Sequence, residues 1–286
     1  MHTLPKLDIM IQYSCSLSCF GCVTMSDQPR TGGVSIAEGE EWLSAWSKVL
    51  TVDTIGITGG EPLLNPGILE WIRKVRQYFP SSHIKVVTNG MHLTTVPVLP
   101  LLLELGNATL NVSFHLQGFP AEQLHKDVLA QTIDTDPQWI TVASGVEDIP
   151  IKLVHNDVTL TVSMWRRFTK PYHGVLKLIR PWKSKYPSLS HSACGAPADP
   201  ILYKNRIYKC GPIANLRDLL SIHELLDNAE WQQYLKYKGF GVDEDLQPLV
   251  DDFGKPNNKI CTMCSADARA TIEHYEPAMV VLKHVQ

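Results

Sequence analysis

The stretch 7-LDIMIQYSCSLSCFGCV-23 decides the fold. Its first part, Leu7 to Tyr13, is apolar and reads as a β-strand. The strand runs straight into a loop that carries Cys15, Cys19 and Cys22, three of the chain's seven cysteines. Three soft thiolates in so short a loop suit one cubic iron–sulfur cluster. A 4Fe–4S cube takes four ligands, so three thiolates leave one iron open to a substrate or cofactor. Structural zinc fits less well, because it prefers four ligands in two pairs.

The bulk of the chain sets the context. Its 286 residues suffice for one large α/β domain with a smaller appendage, and 44% hydrophobic content supports a sizeable core. A formal charge of −3 provides no basic field for gripping a nucleic-acid backbone. No basic segment followed by an apolar run opens the chain, and the greasiest stretch, VPVLPLLLEL, is too short to span a bilayer. A cytoplasmic location is therefore expected, where thiols stay reduced. An odd cysteine count also fits a disulfide framework poorly, which leaves metal ligation as the reading.

Outward from the opening stretch, strand and helix signals alternate. SIAEGEEWLSAWSKVL (35–50) starts with Ser35 and Glu38 at capping-box spacing and places Trp42, Leu43, Trp46, Val49 and Leu50 on one face. TIGIT (54–58) is a short strand that runs into GGEP. A helix follows Pro66, with Leu69, Ile72, Val75 and Phe79 as its apolar stripe. IKVVTNG (84–90) is a strand ending in a turn, residues 96–105 a short helix, and ATLNVSFHL (108–116) a fourth strand. Further strands are expected near 138–143 or 151–154, and at 158–163. Such alternation implies parallel pairing, in an incomplete β/α barrel or a doubly wound sheet, with functional groups at the C-terminal strand ends. Beyond about residue 180 loops increase. ILYKNRIYKC reads as a hairpin around Lys204–Asn205, residues 214–237 as a helix, and the acidic segment around Asp243–Asp252 as a solvated loop that could cap the site.

The cysteine loop after the first strand, GGEP after the second and TNG after the third resemble the radical S-adenosylmethionine (SAM) superfamily over about residues 7–165. The resemblance implies a partial (β/α)6 barrel over residues 1–180. Cys15, Cys19 and Cys22 would hold a catalytic 4Fe–4S cluster whose open iron chelates SAM. Gly59, Gly60 and Glu61 would hold the methionine amino group, chiefly through backbone, with Pro62 fixing the turn. Ser113 would reach the SAM carboxylate. Members of the family usually carry an aromatic residue just before the last cysteine, near the adenine. Here Gly21 stands there and Phe20 one place earlier. His115 replaces the family's aspartate on the fourth strand, and Arg166 and Arg167 end the sixth, where Arg166 could reach the SAM carboxylate or an anionic substrate. Lys152 and His155 are weaker substrate candidates.

Cys194, Cys210 and the pair Cys261–Cys264 are similar to the auxiliary-cluster module called SPASM or its shortened form, twitch. The resemblance implies a small α+β domain over 181–286 with a second 4Fe–4S cluster, Asn205 standing where the family has glycine. A four-cysteine zinc site would use the same thiolates. The family's chemistry implies reductive cleavage of SAM to a 5′-deoxyadenosyl radical, hydrogen abstraction, and oxidation of a small-molecule substrate through the auxiliary cluster. Peptide modification is the alternative, followed by modification of a nucleotide or nucleic-acid base, and a non-enzymatic zinc-binding module is the reading from another class. The expected partners are the substrate and an electron donor such as flavodoxin or ferredoxin, with no membrane.

Overall fold

Period-two alternation along the first strand gives it two unlike faces. The computed structural model describes residues 1–19, 21–114, 140–141, 151–164, 167–169, 171–194, 196–257, 259–266, 271–273 and 280–282. In β1 (His2–Gln12), Leu7, Ile9 and Ile11 are buried in the main core, while Lys6 and Asp8 point to the opposite side. The same division recurs in β3 (Leu50–Gly59), β4 (His83–Thr88), β5 (Ala108–Phe114) and β8 (Val158–Met164). Their apolar residues, such as Ile57, Val86, Leu110 and Leu160, enter that core. Lys85, Asn111, Ser113 and Thr161 belong to the other face.

Helices α1 (Ile36–Trp46), α2 (Ile68–Tyr78) and α3 (Val98–Leu105) cover the apolar face. Ser35 caps α1, its hydroxyl accepting from the Glu38 N–H at 3.3 Å. Trp42, Leu43 and Trp46 of α1 meet Trp71, Ile72 and Val75 of α2 in the core. The two helices approach closely at Gly39, where a Cβ would lie 2.1 Å from the Trp71 ring.

The strands form one nine-stranded sheet among the described residues, in the order β11-β10-β1-β3-β4-β5-β8-β7-β6. β10 (Ile201–Tyr203), β1, β3, β4, β5 and β8 run parallel. The expectation of purely parallel pairing fails at the edge. β7 (Ile151–His155) pairs antiparallel with β8 through a tight turn at Asn156–Asp157, too short for a crossover, and β6 (Ile140–Thr141) pairs antiparallel with β7. The fold is α/β with a mixed sheet.

The hairpin read from ILYKNRIYKC is β10 and β11 (Arg206–Tyr208), and β10 extends the main sheet alongside β1. Lys204 and Asn205 both have left-handed backbones, with φ of 48° and 58°, as a two-residue hairpin turn requires. The helix expected over 214–237, which would follow α4 (Pro187–Ser192), is instead α5 (Gly211–Ile222) and a separate α6 (Gln232–Leu235). Glu224, at φ 57°, ends α5: its N–H donates to Ser221 O and the Leu225 N–H to Leu220 O, the paired bonds of a Schellman motif. The acidic segment is not wholly a loop, because it contains α7 (Gln247–Asp251), with Leu246 and Leu249 in the main core.

Two short pairings close the chain back on itself. β9 (Arg167–Thr169) pairs with β12 (Thr271–Glu273), and β2 (Leu17–Cys19), inside the cysteine loop, pairs with β13 (Val280–Leu282). Among the described residues no helix is long and apolar enough to cross a membrane.

Candidate functional site

The cysteine loop is held at its stem by the GGEP turn. Gly60 N–H donates to Gln12 O and Glu61 N–H to Ser14 O, both at 2.9 Å. Glycine is needed for this approach: a Cβ on Gly59 would lie 2.4 Å from Gln12 O, and one on Gly60 2.2 Å from Ser14 O. Within the loop, Cys15 Sγ accepts from the Leu17 N–H at 3.4 Å and from Asn89 Nδ2 at 3.7 Å. Cys22 Sγ lies 3.2 Å from the Thr24 hydroxyl. Gly21 has φ 77°, a left-handed backbone that L side chains resist, so glycine stands where the family carries an aromatic ring.

The Glu61 side chain turns away from the cavity and acts as a clamp. It is fully buried and absent from the cavity wall. Its carboxylate accepts from Leu63 N–H at 3.0 Å, the Thr88 hydroxyl at 2.7 Å and Asn89 N–H at 2.7 Å. The residue thereby ties GGEP to TNG. Burial pushes the carboxyl up to about 7, against the pull of these three donors. Pro62 starts the short 3-10 turn beneath it and is also buried away from the cavity.

Both cysteine groups border one cavity. A cavity of about 230 Å3 is bordered by Cys15, Cys19 and Cys22 on one side and by Cys194, Cys210 and Cys264 on another. Gly59, Gly60, Thr88, Asn89 and Ser113 also line it, with Lys6, Asp8 and Lys85. The Ser113 hydroxyl donates to Asn111 Oδ1 at 3.3 Å. Cys261 is set back from the wall, its Sγ accepting from the Asn257 N–H at 3.3 Å. Cys194 Sγ accepts from the Ala196 N–H at 3.4 Å, and Cys210 is the N-cap of α5. Phe20, His115 and Arg166 lie outside the described residues, as does the side chain of Arg167. Lys152 and His155, on β7, do not line the cavity.

The donor chemistry fits iron–sulfur ligation. Burial raises the thiols of Cys22, Cys194 and Cys264, and pushes Cys210 up to about 12. Charge on Cys194, Cys210 and Cys261 further raises Cys264. A cationic group among them would remove that cost and release the protons. The N–H donors aimed at Cys15, Cys194 and Cys261 would stabilise the bound thiolates. As they stand, no three His, Cys, Asp or Glu side chains among the described residues form a group that could hold a metal ion.

Sequence reasoning missed Lys6, Asp8 and Lys85. Their signal was present: parallel strands covered on both faces read as continuous apolar runs, whereas KLDIMI and HIKVV alternate. Alternation in parallel strands marks a face left open to something polar.

Comparison with known proteins supports the same centre. Residues 9–139 match the family described as Radical SAM superfamily. Molybdenum cofactor biosynthesis protein 1 of Bos taurus is 31% identical over 109 residues, 37% of this chain and 17% of that protein. The GTP 3',8-cyclase of Lactiplantibacillus plantarum is 28% identical over 155 residues, 54% of this chain and 45% of that enzyme. The chain thus spans less than half the length of these curated relatives. Among solved structures, BtrN in complex with AdoMet and 2-DOIA aligns with 92% of this chain and 93% of its own at a TM-score of 0.52 and 14% identity, a likeness of fold. The cysteine loop, the GGEP turn clamped to TNG and the matched span together make residues 9–139 a radical SAM superfamily domain.

Proposed function

We propose that the protein is a radical SAM enzyme that oxidises a small molecule in the cavity shared by its two cysteine groups. Radical SAM superfamily members are enzymes, and the observation that carries the finer reading is that shared wall. Cys15, Cys19 and Cys22 would hold a 4Fe–4S cluster that, with SAM and one electron from an external donor, would supply a 5′-deoxyadenosyl radical able to take a substrate hydrogen. Cys194, Cys210, Cys261 and Cys264 would hold a second cluster that would accept the next electron as the substrate's proton leaves to a base.

The chain's own residues position these events. Gly59 and Gly60 press the turn against the loop stem and present backbone to the cavity, where carbonyl oxygens suit an ammonium group. Glu61 fixes that turn from below. Ser113 presents its hydroxyl from β5, and Cys210 sits at the positive end of α5, where a thiolate is favoured. Phe20 and Arg166 complete the proposed SAM contacts, and a flavodoxin or ferredoxin is the proposed electron donor.

Anaerobic reconstitution tests the reading. About eight irons per chain are expected, four per cube. About four irons with bound zinc would restrict the cluster to the first group. Dithionite-reduced protein should turn SAM into 5′-deoxyadenosine, Cys19→Ala should abolish this, and Cys261→Ala should not. No 5′-deoxyadenosine from the fully loaded protein would overturn the proposal. The curated relatives favour a nucleotide as the second reading; deuterium from labelled GTP appearing in 5′-deoxyadenosine would select it.

A further inference from the structure

Across the middle of the sheet, Asp8, Gly56 and Lys85 are register partners on β1, β3 and β4. The carboxylate of Asp8 lies over the glycine: a Cβ on Gly56 would come within 2.0 Å of Asp8 Oδ1. That oxygen is buried and has no hydrogen-bond partner. The other oxygen, Oδ2, faces Lys6 Nζ at 3.5 Å, and Lys6 is itself held by Asp199 at 2.5 Å. Lys85, on the far side of the glycine, makes no hydrogen bond or ion pair among the described residues. Asp8, with an unpartnered acceptor, and Lys85, with an unpartnered donor, therefore border the same cavity from either side of a residue without a side chain.

The charges at this floor cancel, Lys6 and Lys85 against Asp8 and Asp199. An anionic ligand would meet two carboxylates and a cationic one two ammonium groups, so neither gains from the field. Hydroxyls suit both groups, because a hydroxyl can donate to a carboxylate oxygen and can accept from an ammonium. A bound hydroxyl would also relieve the desolvation that pushes the Asp8 carboxyl up to about 6 and draws the Lys85 ammonium down. Thr58, Asn111 and Ser113 continue the polar wall toward the cysteine loop.

We infer that the Asp8–Gly56–Lys85 row is a hydroxyl-recognition subsite and that the substrate is a neutral polyhydroxylated small molecule. This rests on the small-molecule reading above and narrows it. Asp8 and Lys85 hold the substrate at the floor, and the cysteine groups border the same space above.

Calorimetry on the anaerobic holoprotein tests the inference, with myo-inositol as the neutral polyol, inorganic phosphate as the anion and 1,4-diaminobutane as the cation. Myo-inositol should bind, and Asp8→Ala and Lys85→Met should each weaken it by about tenfold or more. Gly56→Ala should do the same by displacing the carboxylate, while Lys74→Met, on the outer helices, should change nothing. If Asp8→Ala does not fold, the Lys85 and Gly56 variants decide the matter. Absence of myo-inositol binding up to about 50 mM, where even millimolar ligands saturate, overturns the subsite. So does binding indifferent to these variants, or preferred binding of phosphate or diaminobutane. The wild type separates the two readings: 5′-deoxyadenosine formed without polyol binding sinks only the subsite, and polyol binding without 5′-deoxyadenosine sinks only the radical chemistry.

Discussion

The Glu61 carboxylate accepts three hydrogen bonds and has no cation beside it, so its ionisation state is set by burial. Its folded-state value of about 7 stands above the ordinary 4.5, so the folded protein holds this proton more tightly than the unfolded chain. The contribution to stability is therefore full below the ordinary carboxylate range and is lost as pH rises through 7. Chemical denaturation of the metal-free protein should show stability falling between about pH 5 and 8 by on the order of 3 kcal/mol, and Glu61→Gln should flatten that slope. Gly21 makes a second test. Restoring the family's aromatic with Gly21→Phe should cost about 1–2 kcal/mol, because the side chain must enter a left-handed backbone. Visible absorbance should show poorer cluster retention. The loop that gathers Cys15, Cys19 and Cys22 was legible in the sequence because their spacing is local. The use of Glu61 as a clamp was not, since its partners Thr88 and Asn89 come from another strand end.

Among the elements, the β10–β11 hairpin was legible because a turn of two left-handed residues must be built from a short list of residue types. Asn205 meets that demand and also accepts from Trp46 Nε1 at 3.0 Å, which fixes the hairpin to α1. Asn205→Gly should keep the turn and lose this bond, costing about 1 kcal/mol, while Asn205→Val should cost more, because a β-branched residue resists positive φ. Thermal melting of the two variants gives the order. The end of α5 was not legible, because Glu224 occupies the left-handed position where glycine usually announces a helix stop. The β2–β13 pairing had no sequence signal either, since two three-residue strands lie at opposite ends of the chain. Deleting residues 280–286 should unpair the cysteine loop, so amide exchange at Leu17–Cys19 should rise and iron retention at the first group fall.

At the scale of the whole molecule, Arg30 joins the two cysteine regions. Its side chain is only 5% exposed and lies against the Tyr13 and Tyr203 rings. It donates to Thr24 O at 2.9 Å in the first region, and to Asn215, the Tyr203 hydroxyl and Asp218 in the second. Arg30→Ala should cost about 3 kcal/mol, since it strands these acceptors, and Arg30→Lys should rescue little, because one ammonium cannot replace the planar fork. Denaturant titration measures both. Alternating strands and helices made the parallel part of the sheet legible. They did not tell that the second cysteine group would border the first, because that depends on β10 joining the sheet beside β1. The β2–β13 pairing also has a consequence in time. During synthesis the loop with Cys15, Cys19 and Cys22 leaves the ribosome long before its partner strand exists. Until residues 280–282 have been made, the three thiols stand without the strand that orders them, so cluster loading has to wait for, or be guarded until, their synthesis.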